Sequence, residues 1–269
     1  MEDILHKIIA DKRIEVQEQK KMIPFQSLSA LVENQSYKTQ SMRASLAGSP
    51  SGIIAEFKRK SPSKGWLHPD ADVDDIVPAY EKGGASACSV LTDKNYFGGF
   101  LDDLQKARSL VNLPLLRKDF IVDPYQLFQA RLMGADAILL IASCLKPREC
   151  CSLAETAHNL KMEVLLEIHH ESELEYLNPH IDMLGVNNRN LGTFHTDINN
   201  SFRLMEQIRK HVDSYGETSP LLVAESGISD AETVLRLREA GFRGFLIGET
   251  FMKTEQPGET LSSFIKALS

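Results

Sequence analysis

Residues 53–65 read IIAEFKRKSPSKG, an apolar run that turns ionic at its end and continues into a Ser/Pro/Gly loop. The composition of Ile53–Phe57 is typical of a strand. Because side chains alternate along a strand, Glu56 and Lys58 share the face of Ile54, while the opposite face stays apolar. A buried strand holds such charges only where they are paired or wetted, which favours the mouth of a cavity. An exposed edge strand with a surface ion pair is the alternative, and this stretch alone does not separate the two.

The strand at residue 53 is the first of a regular series. Short runs rich in Val, Ile and Leu begin at about Ile53, Ala87, Leu115, Ala137, Met162, Met183, Leu221 and Phe245. The starts lie 21 to 38 residues apart, which is long enough for a crossover helix in every interval. Eight strand–helix units predict an α/β fold of the (β/α)8 TIM-barrel type. A Gly-x-Gly-x-x-Gly fingerprint, expected of a dinucleotide-binding sheet, does not follow the first strand.

The segment before the first strand has a different pattern. Residues 2–21 have the apolar stripe of an amphipathic helix that Pro24 ends, and residues 25–51 are mixed, with a weak helical pattern near Ser27. We therefore expect one domain over residues 1–269, in which 1–51 form an N-terminal helical extension and 52–269 form the barrel.

Composition narrows the classes of function. With 30 Lys and Arg against 37 Asp and Glu, the chain has a formal net charge of -7 and no basic block, so we expect no nucleic-acid partner. No apolar run approaches the roughly 18 to 20 residues of a membrane span, and the N-terminus lacks a signal-peptide core, so we expect a cytoplasmic protein without membrane contact. The four cysteines lack metal-ligand spacing, and we expect no metal site.

Polar residues at the ends of the predicted strands are the candidates for chemistry, because a barrel of this type carries its active site at the carboxyl ends of its strands. The candidates are Glu56 and Lys58 on the first strand, Lys118 on the third, Glu167 on the fifth, Asn187 and Arg189 on the sixth, and Glu225 on the seventh. Any one of them could simply mark where a strand meets solvent. Together they have nearly balanced charge, so ion pairing and burial could shift their pKa values and let an acid and a base coexist.

Glycine-containing turns follow the last two strands. Ser226 and Gly227 follow the seventh strand, and Gly248 and Glu249 follow the eighth and could open a short helix. Loops at these positions usually bind phosphate in this barrel, so we expect a phosphorylated substrate. Ordinary tight turns are the alternative, and a phosphate would require the Glu249 side chain to point away.

Taken together, these motifs resemble the indole-3-glycerol phosphate synthase family of tryptophan biosynthesis. The resemblance spans the chain and rests on IIAEFKRKSPSKG, LLRKDFIVDPYQ, ADAILLIAS, VLLEIH, GVNNRNLGTF, VAESGI and FLIGETFM. It implies a carboxy-lyase without a cofactor, which converts 1-(2-carboxyphenylamino)-1-deoxyribulose 5-phosphate to indole-3-glycerol phosphate with loss of carbon dioxide and water.

The resemblance also implies residue roles. Lys118 would be the general acid of ring closure, and Glu167, Glu56 and Lys58 would share the acid and base work of dehydration, in a division that the sequence leaves open. Polar contacts to the substrate would come from Asn187, Arg189, Glu225 and Ser61, apolar contacts from Phe97, Phe120 and Leu191, and phosphate contacts from Ser226, Gly227, Gly248 and Glu249. The extension would cover the barrel mouth, and we expect a monomer.

Two other functions fit parts of the pattern. One is a catalytically inactive barrel that binds a phosphorylated metabolite, although such a protein would not need both Lys118 and Glu167. The other is an isomerase of a neighbouring biosynthetic step, which would typically use an Asp or Cys pair where this chain has Lys and Glu.

Overall fold

The computed structural model describes residues 4–190, 192, 194–212, 216 and 219–268. Its strands are β1 (Ile53–Phe57), β2 (Lys60–Ser61), β3 (Gly65–Trp66), β4 (Ala87–Leu91), β5 (Leu115–Lys118), β6 (Ala137–Ile141), β7 (Glu163–Ile168), β8 (Met183–Asn187), β9 (Leu221–Glu225) and β10 (Gly244–Ile247). Its α-helices are α1 (Ile4–Met22), α2 (Phe25–Glu33), α3 (Met42–Gly48), α4 (Val73–Lys82), α5 (Lys94–Phe97), α6 (Leu101–Leu110), α7 (Pro124–Leu132), α8 (Pro147–Asn159), α9 (Asn199–Val212), α10 (Ala231–Ala240), α11 (Glu249–Met252) and α12 (Pro257–Lys266).

Eight parallel strands of the described chain close a barrel in the order β1-β10-β9-β8-β7-β6-β5-β4. Each of them starts within one residue of the position that the apolar runs predict. The predicted (β/α)8 barrel is therefore confirmed. The two remaining strands, β2 and β3, form a small antiparallel hairpin in the loop after β1.

Sequence signals at the helix starts explain where several crossovers begin. Asp72 accepts a hydrogen bond from the backbone of Asp74 at the start of α4, and Asp123 does the same for Tyr125 at the start of α7. These carboxylates satisfy backbone donors that have no partner within the helix and interact favourably with its dipole. Capped helices of this kind return the chain to the amino end of the next strand.

The barrel strands alternate between an inner and an outer face, as a period of two residues requires. Ile54, Leu116, Leu165 and Val223 belong to the apolar cluster inside the barrel. Outward-facing side chains such as Ile53 and Phe57 join the separate cluster under the surrounding helices. Each of the four inner residues lies two positions before an ionic one, so the polar end of the barrel rests on an apolar layer drawn from alternate strands.

The connection from β7 to β8 differs from the predicted pattern, because it contains a 3-10 helix over Glu171–Tyr176 in place of an α-helix. At 21 residues between predicted strand starts, this interval is the shortest of the series. A short interval leaves less chain for a full helical crossover, and the tighter helix fits it.

The N-terminal extension contacts both ends of the barrel. Leu5 and Ile8 of α1 reach the cavity at the carboxyl ends of the strands. Helix α2 packs on α7, with Phe25 and Phe128 edge to face at 4.8 Å between ring centroids. Helix α3 lies at the opposite end, where Ser45 Oγ donates to the carbonyl of Ser86 just before β4 at 2.6 Å. Only α1 is therefore in place to border the barrel mouth.

Among the described residues, no helix is both long enough and apolar enough to cross a membrane.

Candidate active site

A cavity of about 530 Å³ opens at the carboxyl ends of the barrel strands. Its volume suits a small organic substrate. Most of the side chains predicted from the sequence line it, namely Glu56, Lys58, Phe97, Lys118, Phe120, Glu167, Asn187, Arg189, Glu225, Ser226, Gly227, Gly248 and Glu249. The strand ends that the sequence marks as ionic thus converge on one space.

Lys118 lies at the centre of the ionic residues, at the end of β5. Its Nζ is 2.5 Å from Glu225 Oε2 and 3.1 Å from Glu167 Oε2. The two carboxylates are almost fully buried, and the lysine side chain is 13% exposed. Asn187 donates to the other oxygen of Glu167 at 2.9 Å, which fixes the orientation of that carboxylate. The ammonium group is therefore held in place at the floor of the cavity.

Burial and neighbouring charges shift the pKa values of Lys118, Glu167 and Glu225. Burial alone would lower the pKa of Lys118, but the surrounding carboxylates, Glu225 foremost, outweigh it and hold the pKa above its usual value. Burial would likewise raise the pKa of Glu167, yet Lys118 and then His169 lower it to about 2. In Glu225, burial and the charge of Glu167 outweigh Lys118 and raise the pKa to about 8. Lys118 is therefore charged and Glu167 is ionised, while burial and the charge of Glu167 favour the protonated form of Glu225.

The Glu56–Lys58 pair forms a second ionic group at the end of β1. The Lys58 Nζ donates to Glu56 Oε1 at 2.6 Å, and both side chains are largely buried. An ammonium and a carboxylate at this distance provide a proton donor next to a proton acceptor.

Two glycines leave space for the carboxylates. A Cβ atom at Gly185 on β8 would lie 2.2 Å from Glu225 Oε1, and one at Gly248 would lie 2.3 Å from Glu56 Oε1. Such contacts are far inside van der Waals distance, so any larger residue would displace the carboxylate. These positions need glycine for the close approach of a neighbouring side chain.

Arg189 extends from the end of β8 across the cavity. Its guanidinium lies 3.1 Å from Glu249 Oε2 and donates to Ser63 Oγ at 3.1 Å and to Thr196 Oγ1 at 3.2 Å. The Glu249 carboxylate is thus directed toward this arginine. Ser63 belongs to the loop after β1, so one side chain connects the two loops on this side of the cavity.

An aromatic wall lies opposite. The rings of Phe97 and Phe120 are 6.1 Å apart between centroids and tilted by 40°. Phe97 ends helix α5 and Phe120 follows β5, so two different loops supply this wall.

The turn after β9 has an unusual backbone. Ser226 has φ of 65° and Gly227 has φ of 77°, both in the left-handed region. A non-glycine residue there costs roughly 1 to 2 kcal/mol, and such conformations cluster at functional sites. The turn is held from β8, because the Asn188 side chain donates to the carbonyl oxygens of Glu225 and Ser226 at 3.0 and 3.2 Å.

Two residues that the sequence predicts as substrate contacts, Ser61 and Leu191, are not among the described residues that line the cavity. Ser61 is buried and accepts a hydrogen bond from the backbone of Lys64 at 3.2 Å, so its hydroxyl supports the loop, while Ser63 and Lys64 border the cavity. Leu191 lies outside the described residues.

His169 and Asn188 are site residues that the sequence reasoning missed. His169 Nε2 lies 3.4 Å from Glu167 Oε1, and the ring is 7% exposed. A signal for it was present, since it lies two residues beyond Glu167 on the same face of the strand. Asn188 faces outward from the strand end, and no periodicity identifies it.

Within the described part of the chain, no three His, Cys, Asp or Glu side chains are grouped so that they could hold a metal ion.

Comparison with known proteins identifies the family. The family model for indole-3-glycerol phosphate synthase matches residues 5–264. A protein named indole-3-glycerol phosphate synthase from Bacteroides thetaiotaomicron is 58% identical over 268 residues, which cover 100% of each chain. One with the same name from Polaromonas naphthalenivorans is 42% identical over 266 residues, covering 97% of this chain and 98% of the relative.

Solved structures with a similar fold include tryptophan synthase α-subunits. The A-subunit from the hyperthermophile Pyrococcus furiosus superposes with a TM-score of 0.59 at 14% identity, covering 82% of this chain and 98% of that chain. The subunit from Legionella pneumophila gives 0.59 at 13% identity, covering 84% and 96%. These similarities bear on the barrel alone. The family match over nearly the whole length and the 58% identical relative establish that this chain belongs to the indole-3-glycerol phosphate synthase family.

Proposed function

We propose that the protein is an indole-3-glycerol phosphate synthase that closes the indole ring of 1-(2-carboxyphenylamino)-1-deoxyribulose 5-phosphate with loss of carbon dioxide and water. The observation that carries the proposal is the Lys118 ammonium, held between Glu167 and Glu225 at the floor of the cavity. The reaction forms one carbon–carbon bond by attack of the ring on a ketone, and its other events are proton transfers and the loss of carbon dioxide and water, so acids and bases of the chain are sufficient.

In the first step, Lys118 is the general acid. The ring carbon that bears the carboxylate attacks the substrate ketone, a carbon–carbon bond forms, and the carbonyl oxygen takes a proton from the Lys118 ammonium. Without that proton, an alkoxide would develop close to the Glu167 and Glu225 carboxyl groups. General acid catalysis of this kind contributes roughly 10²- to 10⁴-fold. The raised pKa of Lys118 keeps the group protonated before the reaction.

The second step requires no dedicated base. The carbon–carbon bond to the carboxylate breaks, carbon dioxide leaves, and the electron pair restores the aromatic ring. The protein only has to orient the carboxylate, and we assign this to the polar groups of Asn187 and Arg189, which lie on the same side of the cavity.

Dehydration is the step that needs both an acid and a base. We assign the acid to Lys58, which protonates the departing hydroxyl, and the base to Glu56, which takes the proton from the adjacent carbon. Their separation of 2.6 Å supports this pairing. Glu167 is the alternative base, because its lowered pKa keeps it ionised.

The rest of the cavity accounts for binding. We assign the substrate ring to the wall of Phe97 and Phe120, and the phosphate to the backbone amides of the turns at Ser226–Gly227 and Gly248–Glu249. The left-handed backbone at residues 226 and 227 supports the second assignment. Glu249 compensates the charge of Arg189, so the positive charge that favours an anion on this side is that of Lys253, which also borders the cavity.

The proposal also covers the domain organisation, the oligomeric state and the location in the cell. We propose that residues 1–269 form one domain in which α1 is the part of the extension that covers the mouth, since Leu5 and Ile8 line the cavity. We also propose that the protein is a monomer, and that it acts in the cytoplasm, with which a phosphorylated substrate is consistent. Sedimentation at working concentration tests the oligomeric state.

The direct test supplies the carboxyphenylamino-deoxyribulose phosphate and follows indole fluorescence together with carbon dioxide release. We expect equal amounts of both products, in the presence or absence of a chelator. A protein that binds the substrate without releasing either product is the inactive barrel considered above, and that result refutes the proposal.

A further inference from the structure

Lys12 of α1 is a buried cation that does not itself line the active-site cavity. Its side chain is 2% exposed, and its Nζ lies 2.8 Å from Glu15, 2.9 Å from Asp93 and 3.0 Å from Asp119. Charged side chains are rarely buried so completely unless they are paired. Two of the three partners, Asp93 and Asp119, come from loops that line the active-site cavity. The helix is therefore joined to the barrel mouth by an ionic contact at the edge of the site.

Asp93 connects Lys12 to the first phenylalanine of the aromatic wall. One of its oxygens faces Lys12, and the other accepts a hydrogen bond from the backbone of Tyr96 at 2.7 Å, which caps helix α5. That helix is one turn long and ends in Phe97. So short a helix has little stability of its own, and its orientation depends on the capping carboxylate.

Asp119 connects Lys12 to the second phenylalanine. The oxygen that faces Lys12 also accepts the backbone N–H of Phe120 at 2.8 Å. Its other oxygen is 3.0 Å from Arg117 and accepts from Thr92 Oγ1 at 2.6 Å. Burial would raise the pKa of Asp119, but Lys12 and then Arg117 outweigh it and hold the pKa well below its usual range. The carboxylate is therefore ionised, and it directly follows Lys118 in the chain.

We propose that Lys12 is a positioning residue of the active site, which sets the distance between Phe97 and Phe120 and thereby the placement of the substrate ring against Lys118. This inference rests on the proposed function. The two phenylalanines belong to separate loops, and Lys12 is the cation that contacts the carboxylate at the base of each. Displacing a reacting group by about 1 Å can reduce the rate about a hundredfold, so the effect on turnover should be large.

The experiment compares Lys12→Met with Lys20→Met. Lys20 lies on the same helix and pairs with Asp123 of the barrel at 2.6 Å, but that pair is partly exposed and away from the cavity. We expect Lys12→Met to lower kcat/KM about a hundredfold, with both a raised KM and a lowered kcat. Lys20→Met should stay within about twofold of the unmodified protein. Lys12→Arg keeps the charge, and its kcat/KM should be at least about tenfold higher than that of Lys12→Met.

A role in stability alone predicts a different result. All variants are assayed well below their thermal unfolding midpoints, where the protein is folded by circular dichroism. If Lys12→Met lowers the midpoint but leaves kcat and KM unchanged, the positioning role is wrong. If that variant does not fold, Lys12→Gln takes its place, since its amide can still donate in the buried site, and the same raised KM and lowered kcat are expected.

A double-variant cycle tests whether Lys12 acts through the aromatic wall. Phe97→Leu alone should raise KM. The double variant should have a kcat/KM within about twofold of that of Lys12→Met, because both changes remove the same contact. Fully additive effects would overturn the inference. Absence of turnover in the unmodified protein would instead refute the proposed function, so the two failures are distinguishable.

Discussion

Replacement of Lys118 by methionine removes the ammonium between Glu225 and Glu167 and keeps a side chain of similar length. We expect kcat to fall about a thousandfold or more, because the ketone oxygen would lose both its proton donor and the nearest positive charge. General acid catalysis contributes roughly 10²- to 10⁴-fold and stabilisation of a developing oxyanion roughly 10²- to 10³-fold. One group supplies both here, so the effects overlap, and a thousandfold loss corresponds to about 4 kcal/mol.

The same replacement should also lower the free energy of unfolding, but by no more than a buried ion pair usually loses. Removing one partner of a buried ion pair usually costs about 3 to 5 kcal/mol, because a charge is left without compensation. Here burial and the charge of Glu167 already raise the pKa of Glu225, and loss of Lys118 removes a charge that lowers it, so this carboxyl can take up a proton, which reduces the charge left behind. We therefore expect a loss near the lower end of that range, and a folded variant.

Single-turnover fluorescence of the indole product measures the chemical step, and titration with the substrate measures binding separately. Lys118→Arg is the matched control, since a guanidinium keeps the charge but releases no proton at neutral pH. It should fold like the unmodified protein, and its kcat should lie between those of Lys118→Met and the unmodified protein, because the charge is kept and the proton transfer is lost. Turnover by Lys118→Met within about tenfold of the unmodified protein would refute the assignment of Lys118 as the acid.

Burial raises the pKa of Glu225 from 4.5 to about 8, so its protonated form contributes stability that is complete below pH 4.5 and is lost as the pH rises through 8. Glu225→Gln should remove this decline in the thermal unfolding midpoint, and an unchanged decline would mean that another group is responsible. Glu56→Gln should release carbon dioxide in a single turnover without matching indole fluorescence, because the cyclised alcohol is not dehydrated. If the two signals instead keep pace in Glu56→Gln and separate in Glu167→Gln, then Glu167 is the base. Gly185→Ala would place a Cβ 2.2 Å from Glu225 Oε1 and should cost about 1 to 3 kcal/mol in denaturant unfolding. Gly48→Ala, at the end of α3 with nothing within 4 Å, is its control and should raise the unfolding free energy by at most about 1 kcal/mol.

Most of the barrel and of its polar end could be predicted because one rule covers every strand. Side chains alternate with a period of two, so Ile54 predicts the direction of Glu56, and Leu116 predicts that of Lys118. Parallel strands then bring their carboxyl ends to one edge, where these side chains meet. The inner cluster and the cavity lining agree with both predictions. The chemical roles of these residues stay predictions until the variants are measured.

The connections were predicted less well, because they follow no period. The 3-10 helix at Glu171–Tyr176 lies where an α-helix was expected. Ser61 belongs to the correct loop, but a two-residue strand of the hairpin buries its hydroxyl, and Ser63 takes the place next to Arg189. Ser63 lies in the turn between the two strands, where side-chain directions follow the backbone conformation of the turn and not the alternation of a strand.

The local sequence by itself determined the strand positions, the inward direction of the ionic side chains and the family, since each depends on residues close together in the chain. Only the tertiary structure decided how the charges interact. The glutamates on β7 and β9 are both buried next to Lys118, but their pKa values shift in opposite directions, because His169 also favours the ionised form of Glu167, while the charge of Glu167 disfavours that of Glu225. The tertiary structure also brought Lys12 to Asp93 and Asp119, across 81 and 107 residues of chain. Electrostatic energies depend on distances in space and on burial, and neither can be read from spacing along the chain.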